Sequence, residues 1–188
     1  MAATVLLAAF EPFGGRTRNR SLDAVGRLAR DGMATRTLPV SFDRLPEIVP
    51  SLVEECERAL VLVGESGPAR VPTLERVAIN LIDARLSDND GAAPRDRPIV
   101  ERGPAAYLAT WPARELADSL RAAGHRVELS AHAGTFACNA ALYLALHRAA
   151  SLERPPRIGF VHVPAGWWWA NDRRASAVLR DVVEAMLR

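Results

Sequence analysis

The run Ala59-Leu60-Val61-Leu62-Val63 is apolar at every position and ends directly on Gly64. A strand with two apolar faces has to be covered on both, as happens to a central strand of a parallel sheet packed between helices. Shorter strand candidates surround it in the chain: Thr4 to Ala9, Thr35 to Val40, Arg76 to Asp83, Val127 to Leu129 and Arg157 to Val163. Between them lie segments of helical period. Ser21 can cap a helix running to about Arg30; Ile48, Val49, Leu52, Val53, Cys56 and Leu60 recur on one face; Trp111 to Ala123, about Phe136 to Ala149 and about Asn171 to Leu187 complete the set. Strands and helices alternate without repeat or linker, which predicts an α/β protein, a single-domain α/β/α sandwich over residues 1–188 with a largely parallel, mixed central sheet. The length of 188 residues suits one domain of ordinary size.

Every one of the 24 basic residues is arginine. Without lysine there is no Schiff base, no pyridoxal phosphate anchor and no P-loop, so those enzyme classes are set aside. The arginines are interleaved with acids to a formal net charge of +2, and no basic cluster alternates with aromatics, so no nucleic-acid partner is expected. The N-terminal apolar run Val5 to Phe10 is far shorter than the roughly 20 residues that span a bilayer and has no basic segment before it, so neither membrane insertion nor secretion is expected and the location read is cytoplasmic. Two cysteines and four scattered histidines make neither a disulfide framework nor a zinc site, and no metal or other cofactor is expected.

Three segments carry residues suited to catalysis. In Ala133-Gly134-Thr135-Phe136-Ala137-Cys138-Asn139 a small-residue turn leads into a helix that starts close to Cys138. Helix N-terminal amides favour a thiolate, and one of them can stabilise a tetrahedral oxyanion. A lone cysteine is more often core packing, the role expected of Cys56 on its apolar helix face. His162 ends the apolar strand before Pro164, at the carboxyl edge where α/β sheets place ligands, and can act as base and acid; His125, His132 and His147 lack that setting. Glu75, where a loop meets the strand beginning at Arg76, can orient an imidazole or simply pair with an arginine. Ser66 in Gly64-Glu65-Ser66-Gly67-Pro68 offers a rival serine nucleophile, disfavoured because Pro68 and Pro72 block the helix that must follow such an elbow. The chain from Ala84 to Pro104 is too long for an idle connection and is expected to cover the site.

Phe-Glu-Pro-Phe-Gly-Gly at 10–15, the GESG turn ahead of TLERVAIN, DAR with DN soon after, RGPAAY, AGTFACN and FVHVP occur in one order along nearly the whole chain. In that order they resemble the pyroglutamyl peptidase I family of cysteine peptidases. The resemblance implies a phosphorylase/hydrolase-like fold and an exopeptidase that hydrolyses the amide after an N-terminal pyroglutamyl residue through a thioester acyl-enzyme. It also implies Cys138 as nucleophile, His162 as general base and acid, and Glu75 as the orienting residue. Phe10 and Phe13 match aromatic walls for the lactam ring and Phe136 lines the same pocket. Glu65 matches a position whose backbone meets the lactam amide, and Asn19 and Arg85 match ligand-contact positions. The partners implied are small pyroglutamyl peptides and further copies of the chain, as a dimer or tetramer. This sequence departs from the family pattern at Ala8-Ala9, Arg20, Glu65, His132 and Ala137. A non-catalytic binder of pyroglutamyl peptides is the remaining alternative. The loop setting of Phe10 and Phe13 predicts that neither ring is buried in a regular element. Three consecutive indoles, Trp167 to Trp169, cannot share one face of a strand or helix, so either part of the triplet covers the site mouth or lies in a subunit contact, or all three pack under the Ala84 to Pro104 segment.

Overall fold

The computed structural model describes residues 2–166 and 172–187. Six strands form the main sheet in the order β2-β1-β3-β8-β4-β7. They are β1 (Ala3–Phe10), β2 (Thr35–Leu38), β3 (Cys56–Ser66), β4 (Thr73–Glu75), β7 (Glu128–Ser130) and β8 (Arg157–Pro164). All neighbours run parallel except β4 and β8, which are antiparallel. A separate antiparallel pair joins β5 (Val77–Ile79) to β6 (Ala106–Leu108).

Period-two alternation sends the strands' side chains to two cores. Leu6, Ala8 and Phe10 of β1, Leu60 and Leu62 of β3, and Ile158 and Phe160 of β8 meet helices α2 (Leu45–Glu54) and α4 (Ala137–Ala149). Val5, Leu7, Ala9, Ala59, Val61, Val63, Val161 and Val163 meet α1 (Arg20–Arg30), α3 (Ala113–Ala122) and α5 (Asp172–Leu187). The expected sandwich and its mostly parallel sheet are therefore present. No described helix is long and apolar enough to cross a membrane.

Several local expectations change. Cys56 is the first residue of β3, in register with Ala3, and does not lie on the α2 face; it stays buried because the strand start lies under the same core. Helix α1 is capped by Asn19, which has extended backbone and accepts the Ser21 N–H and hydroxyl on Oδ1 at 3.0 and 2.7 Å. Of the strand expected from Arg76 to Asp83 only Val77–Ile79 forms, as β5 of the separate pair. Asn139, fully buried in the first turn of α4, takes the Ile79 N–H and donates to the Ile79 and Leu81 carbonyls, holding this stretch on the helix and off the main sheet. Strand β6 carried no sequence signal. Phe10 ends β1 and is 2% exposed, so it belongs to the core, contrary to the loop reading. Trp167, Trp168 and Trp169 lie outside the described residues.

The segment from Ala84 to Pro104 is tied down by the half-buried Asn80 and the buried Asp88. Asn80 accepts the Ile99 and Val100 N–H groups and donates to the Val100 and Gly103 carbonyls. Asp88 accepts the N–H groups of Phe42, Asp90 and Ala92. These bonds replace the secondary structure that the segment lacks.

One contact across the sheet sets the relation of β4 to β8. The Trp111 indole lies on Gly159, where a Cβ would fall 2.1 Å from Cδ2, and its Nε1–H donates to the Glu75 carbonyl at 3.2 Å. Gly159→Ala is expected to lower stability by about 1–3 kcal/mol through overpacking, measured as a shift of the denaturant midpoint. An unchanged midpoint would show that the indole has room to move.

Candidate active site

Residues 64 and 162 are directly opposite in the β3–β8 ladder, and 162 is opposite Thr73 in β8–β4. His162 follows Phe160 on the side of the sheet that meets α4, near its carboxyl edge. Glu75 pairs with Phe160, so it stands diagonal to His162 on that face, and its Oε1 lies 2.7 Å from His162 Nδ1. Both side chains are buried, and Oε2 of Glu75 has no hydrogen-bond partner. Its negative charge is therefore directed at the imidazole and is not shared with other donors.

With Nδ1 engaged by Glu75, the second ring nitrogen is left for the neighbouring Cys138 side chain, which lines the same cavity. Cys138 is the second residue of α4, whose cap, Phe136, has extended backbone and supplies no side-chain bond. The first-turn amides consequently keep their donors for another acceptor. Gly134, with φ +84°, makes the tight turn that leads there. Burial alone would pull the His162 pKa down, but the neighbouring Cys138 sulfur and the hydrogen bond and charge of Glu75 outweigh it, raising it to about 9. In contrast, burial pushes the Cys56 thiol up to about 11. Both cysteines are free, Cys56 buried and Cys138 half-buried at the cavity.

Gly64 is the residue that lets this arrangement close. A Cβ there would fall 2.8 Å from Cys138 Sγ and 2.7 Å from Phe160 Cζ, and the Phe160 ring itself packs against the His162 ring at a tilt of 50°, with centroids 4.7 Å apart. The sequence shows a glycine after a strand, but which atom needs its bare backbone is a tertiary fact.

The cavity beside the cysteine measures about 680 Å³. Phe10, Phe13, Val40 and Phe136 make one apolar end; Phe13 and Phe136 pack at 5.9 Å between ring centroids, and Phe42 meets Phe136 edge-on at 5.3 Å. Glu65 and Asn19 also line it, but with polar atoms already engaged. Glu65 Oε2 accepts the Arg20 N–H at 2.6 Å, its Oε1 pairs with Arg16, and Asn19 caps α1 while donating to the Glu11 carbonyl at 3.0 Å. Arg85 is exposed at the mouth beside Leu86. Asp83 and Thr135 bridge the covering segment to the turn before α4 through two 3.0 Å bonds. His132 lines the cavity with Nδ1 accepting the Gly134 N–H at 3.1 Å, whereas His147 and His125 bond Tyr107 and Asp181 elsewhere.

Ser66 ends β3 at the cavity wall, but residues 67–72 form no helix and the His162 Nδ1 is held by Glu75. No nucleophile elbow exists there.

A parallel-sheet α/β protein with a Cys-His-Glu arrangement at a helix N-terminus falls in the class of cysteine hydrolases. Within that class the family is clear from relatives. The family model described as pyroglutamyl peptidase matches residues 3–172. The pyrrolidone-carboxylate peptidase of Thermococcus onnurineus is 42% identical over 187 residues, covering 96% of this chain and 94% of that protein. That of Pectobacterium carotovorum is also 42% identical, over 167 residues, covering 86% of this chain and 78% of that protein. Among solved structures, the pyrrolidone carboxyl peptidase from Thermococcus litoralis superposes with a TM-score of 0.88 at 30% identity, covering 98% of this chain and 93% of that one. The Thermus thermophilus enzyme gives 0.86 at 32%, covering 96% and 98%. The chain belongs to the pyroglutamyl peptidase family.

Two measurements check the geometry. Gly64→Ala is expected to displace the thiol and cut turnover by about 10²-fold, the scale of a 1 Å misplacement, while the protein stays folded by circular dichroism. Because the His162 pKa is raised above its unfolded value, its contribution to stability is fully present below about pH 6.5 and is lost as pH rises through about 9. The difference in Tm between the native protein and His162→Gln should therefore shrink across that window; a constant difference would contradict the pairing.

Proposed function

We propose that this protein is a cysteine exopeptidase that removes an N-terminal pyroglutamyl residue from small peptides. The observation that carries the proposal is the buried Glu75-His162 pair next to the half-buried Cys138 at the N-terminus of α4, beside an apolar slot. In this reading the Cys138 thiolate attacks the carbonyl carbon of the pyroglutamyl residue, and the first-turn amides of α4 hold the resulting oxyanion. The His162 imidazolium gives its proton to the departing amine, the C–N bond breaks and a thioester remains. Neutral His162 then takes a proton from water, whose oxygen attacks the thioester to release pyroglutamic acid and restore the thiol. Glu75 holds the ring and stabilises the imidazolium by charge throughout.

A pyroglutamyl group carries no amine charge, so Phe13 and Phe136 can cover its ring while backbone groups near Glu65 meet the lactam. An open-chain terminus would bring a charge into this slot unpaired, which disfavours it. The proposal places the enzyme in a reducing compartment, the cytoplasm, where its free nucleophilic thiol persists, and as a homo-oligomer.

The test is hydrolysis of a pyroglutamyl chromogenic amide with and without thiol alkylation. Turnover should be abolished by alkylation and by Cys138→Ser or Cys138→Ala, and retained by Cys56→Ser. Glu75→Gln should fold and yet lose about 10²-fold or more in kcat/KM. Activity that survives alkylation would overturn the assignment.

A further inference from the structure

Three carboxylates line the cavity, and each is matched with a cation: Glu75 with His162, Asp83 with Arg95 at 3.4 Å, and Glu65 with Arg16. The third pair differs in position, because Glu65 directly follows Gly64 and so stands next to the nucleophile on β3. Its side chain is 3% exposed while that of Arg16 is 44% exposed, so the arginine reaches inward from the surface to meet a buried acid. The guanidinium also lies over the Phe13 ring, with Cζ 5.2 Å from the centroid, and Phe13 in turn packs on Phe136.

We propose that Arg16 is a specificity-determining residue of the acyl pocket, acting by neutralising Glu65 and by clamping Phe13. The proposal rests on the pyroglutamyl reading of the site. A lactam N–H is neutral, whereas an open-chain glutaminyl terminus carries an ammonium with a pKa of about 7.7–8.0. Burying that ammonium is unfavourable unless a carboxylate receives it. Glu65 is the carboxylate in position to do so, and the Arg20 N–H and the Arg16 guanidinium occupy its two oxygens. The slot thereby offers a free ammonium no counter-charge.

The clamp on Phe13 follows from the loop that carries it. Gly14 and Gly15 adopt φ +63° and +74° and have no side chains to anchor the turn. Glu11 and Pro12 are held by Asn89, whose amide donates at 2.8 and 2.9 Å, but that tie lies before Phe13. Arg16 supplies one after it, by stacking on the ring from the solvent side while gripping β3 through Glu65.

The test uses the full chain as the native protein, Arg16→Gln, Arg16→Lys, Glu65→Gln and the double variant Arg16→Gln/Glu65→Gln. Each is titrated by calorimetry with 2-pyrrolidone, a bare neutral lactam, and with glutaminamide below pH 7, and assayed on a pyroglutamyl chromogenic amide. Arg16→Gln should bind glutaminamide about ten-fold more tightly than the native protein and show a KM several-fold higher with kcat within about two-fold. Arg16→Lys should keep the native discrimination, because it keeps the charge, while its KM still rises. The double variant should lose the new affinity for glutaminamide, since no carboxylate remains to receive it. Native discrimination in Arg16→Gln, or affinity for glutaminamide that survives in the double variant, would overturn the proposal. Absence of hydrolysis by the native protein would overturn the pyroglutamyl reading instead, and the calorimetric comparison would still decide the role of Arg16.

Discussion

The site depends on one buried hydrogen bond between strands that run in opposite directions. The β4–β8 neighbours are the antiparallel pair of an otherwise parallel main sheet, and they set Glu75 diagonal to His162 on the face that α4 covers. Opposite charges in a poorly solvated setting interact strongly, and among the described residues Oε2 of Glu75 has no hydrogen-bond partner beside the 2.7 Å contact of Oε1. A buried pair costs desolvation, so its worth here lies less in net stability than in fixing which nitrogen of His162 faces the thiol. The Trp111 indole, seated on Gly159 and bonded to the Glu75 carbonyl, holds the same strand from the opposite side of the sheet.

Close approach is the second requirement. A thiol on a helix and an imidazole on a strand meet only where the helix terminus comes down onto the sheet, and side chains normally hold the two layers apart. At Gly64 the layers touch, with Cys138 Sγ and the Phe160 ring sharing the volume that a methyl group would fill. Asn139, the next residue after the cysteine, anchors the same helix end to the Ile79 and Leu81 backbone. The thiol is therefore positioned by backbone contacts on both sides, which suits a site whose geometry has to hold within fractions of an ångström.

The charge economy of the cavity follows from an arginine-only basic complement. A guanidinium can pair with a carboxylate while lying over an aromatic ring, and Arg16 meets Glu65 and Phe13 in that way. An ammonium could neutralise Glu65 but would cover the ring less well. The apolar end of the cavity is thus bounded by aromatic surfaces and a neutralised acid, an environment suited to an uncharged polar ring.

Much of this architecture is written in local pattern. Short continuous apolar runs, helical-period segments between them and a small-residue turn before Cys138 determine strands, helices and the helix N-terminus, because each reflects interactions between residues close in the chain. The position of His162 at a strand end and the family motifs around Glu75 and Cys138 were legible for the same reason. Errors arose where distant contacts override local preference. Arg76 to Asp83 reads as one strand of the main sheet, but Asn139 draws Ile79 and Leu81 onto α4 and only Val77–Ile79 stays extended, while Cys56 reads as helical until the register with Ala3 puts it in β3. Phe10 and Phe13 look alike in sequence, yet the β1 ladder buries the first and leaves the second as a half-buried wall. By itself the sequence determined the element types, the two apolar faces of the sheet and the residue chemistry available. Tertiary structure alone decided the antiparallel β4–β8 register, the contact at Gly64 and the reach of Arg16 to Glu65, because each joins residues far apart in the chain whose meeting leaves no periodic trace in it.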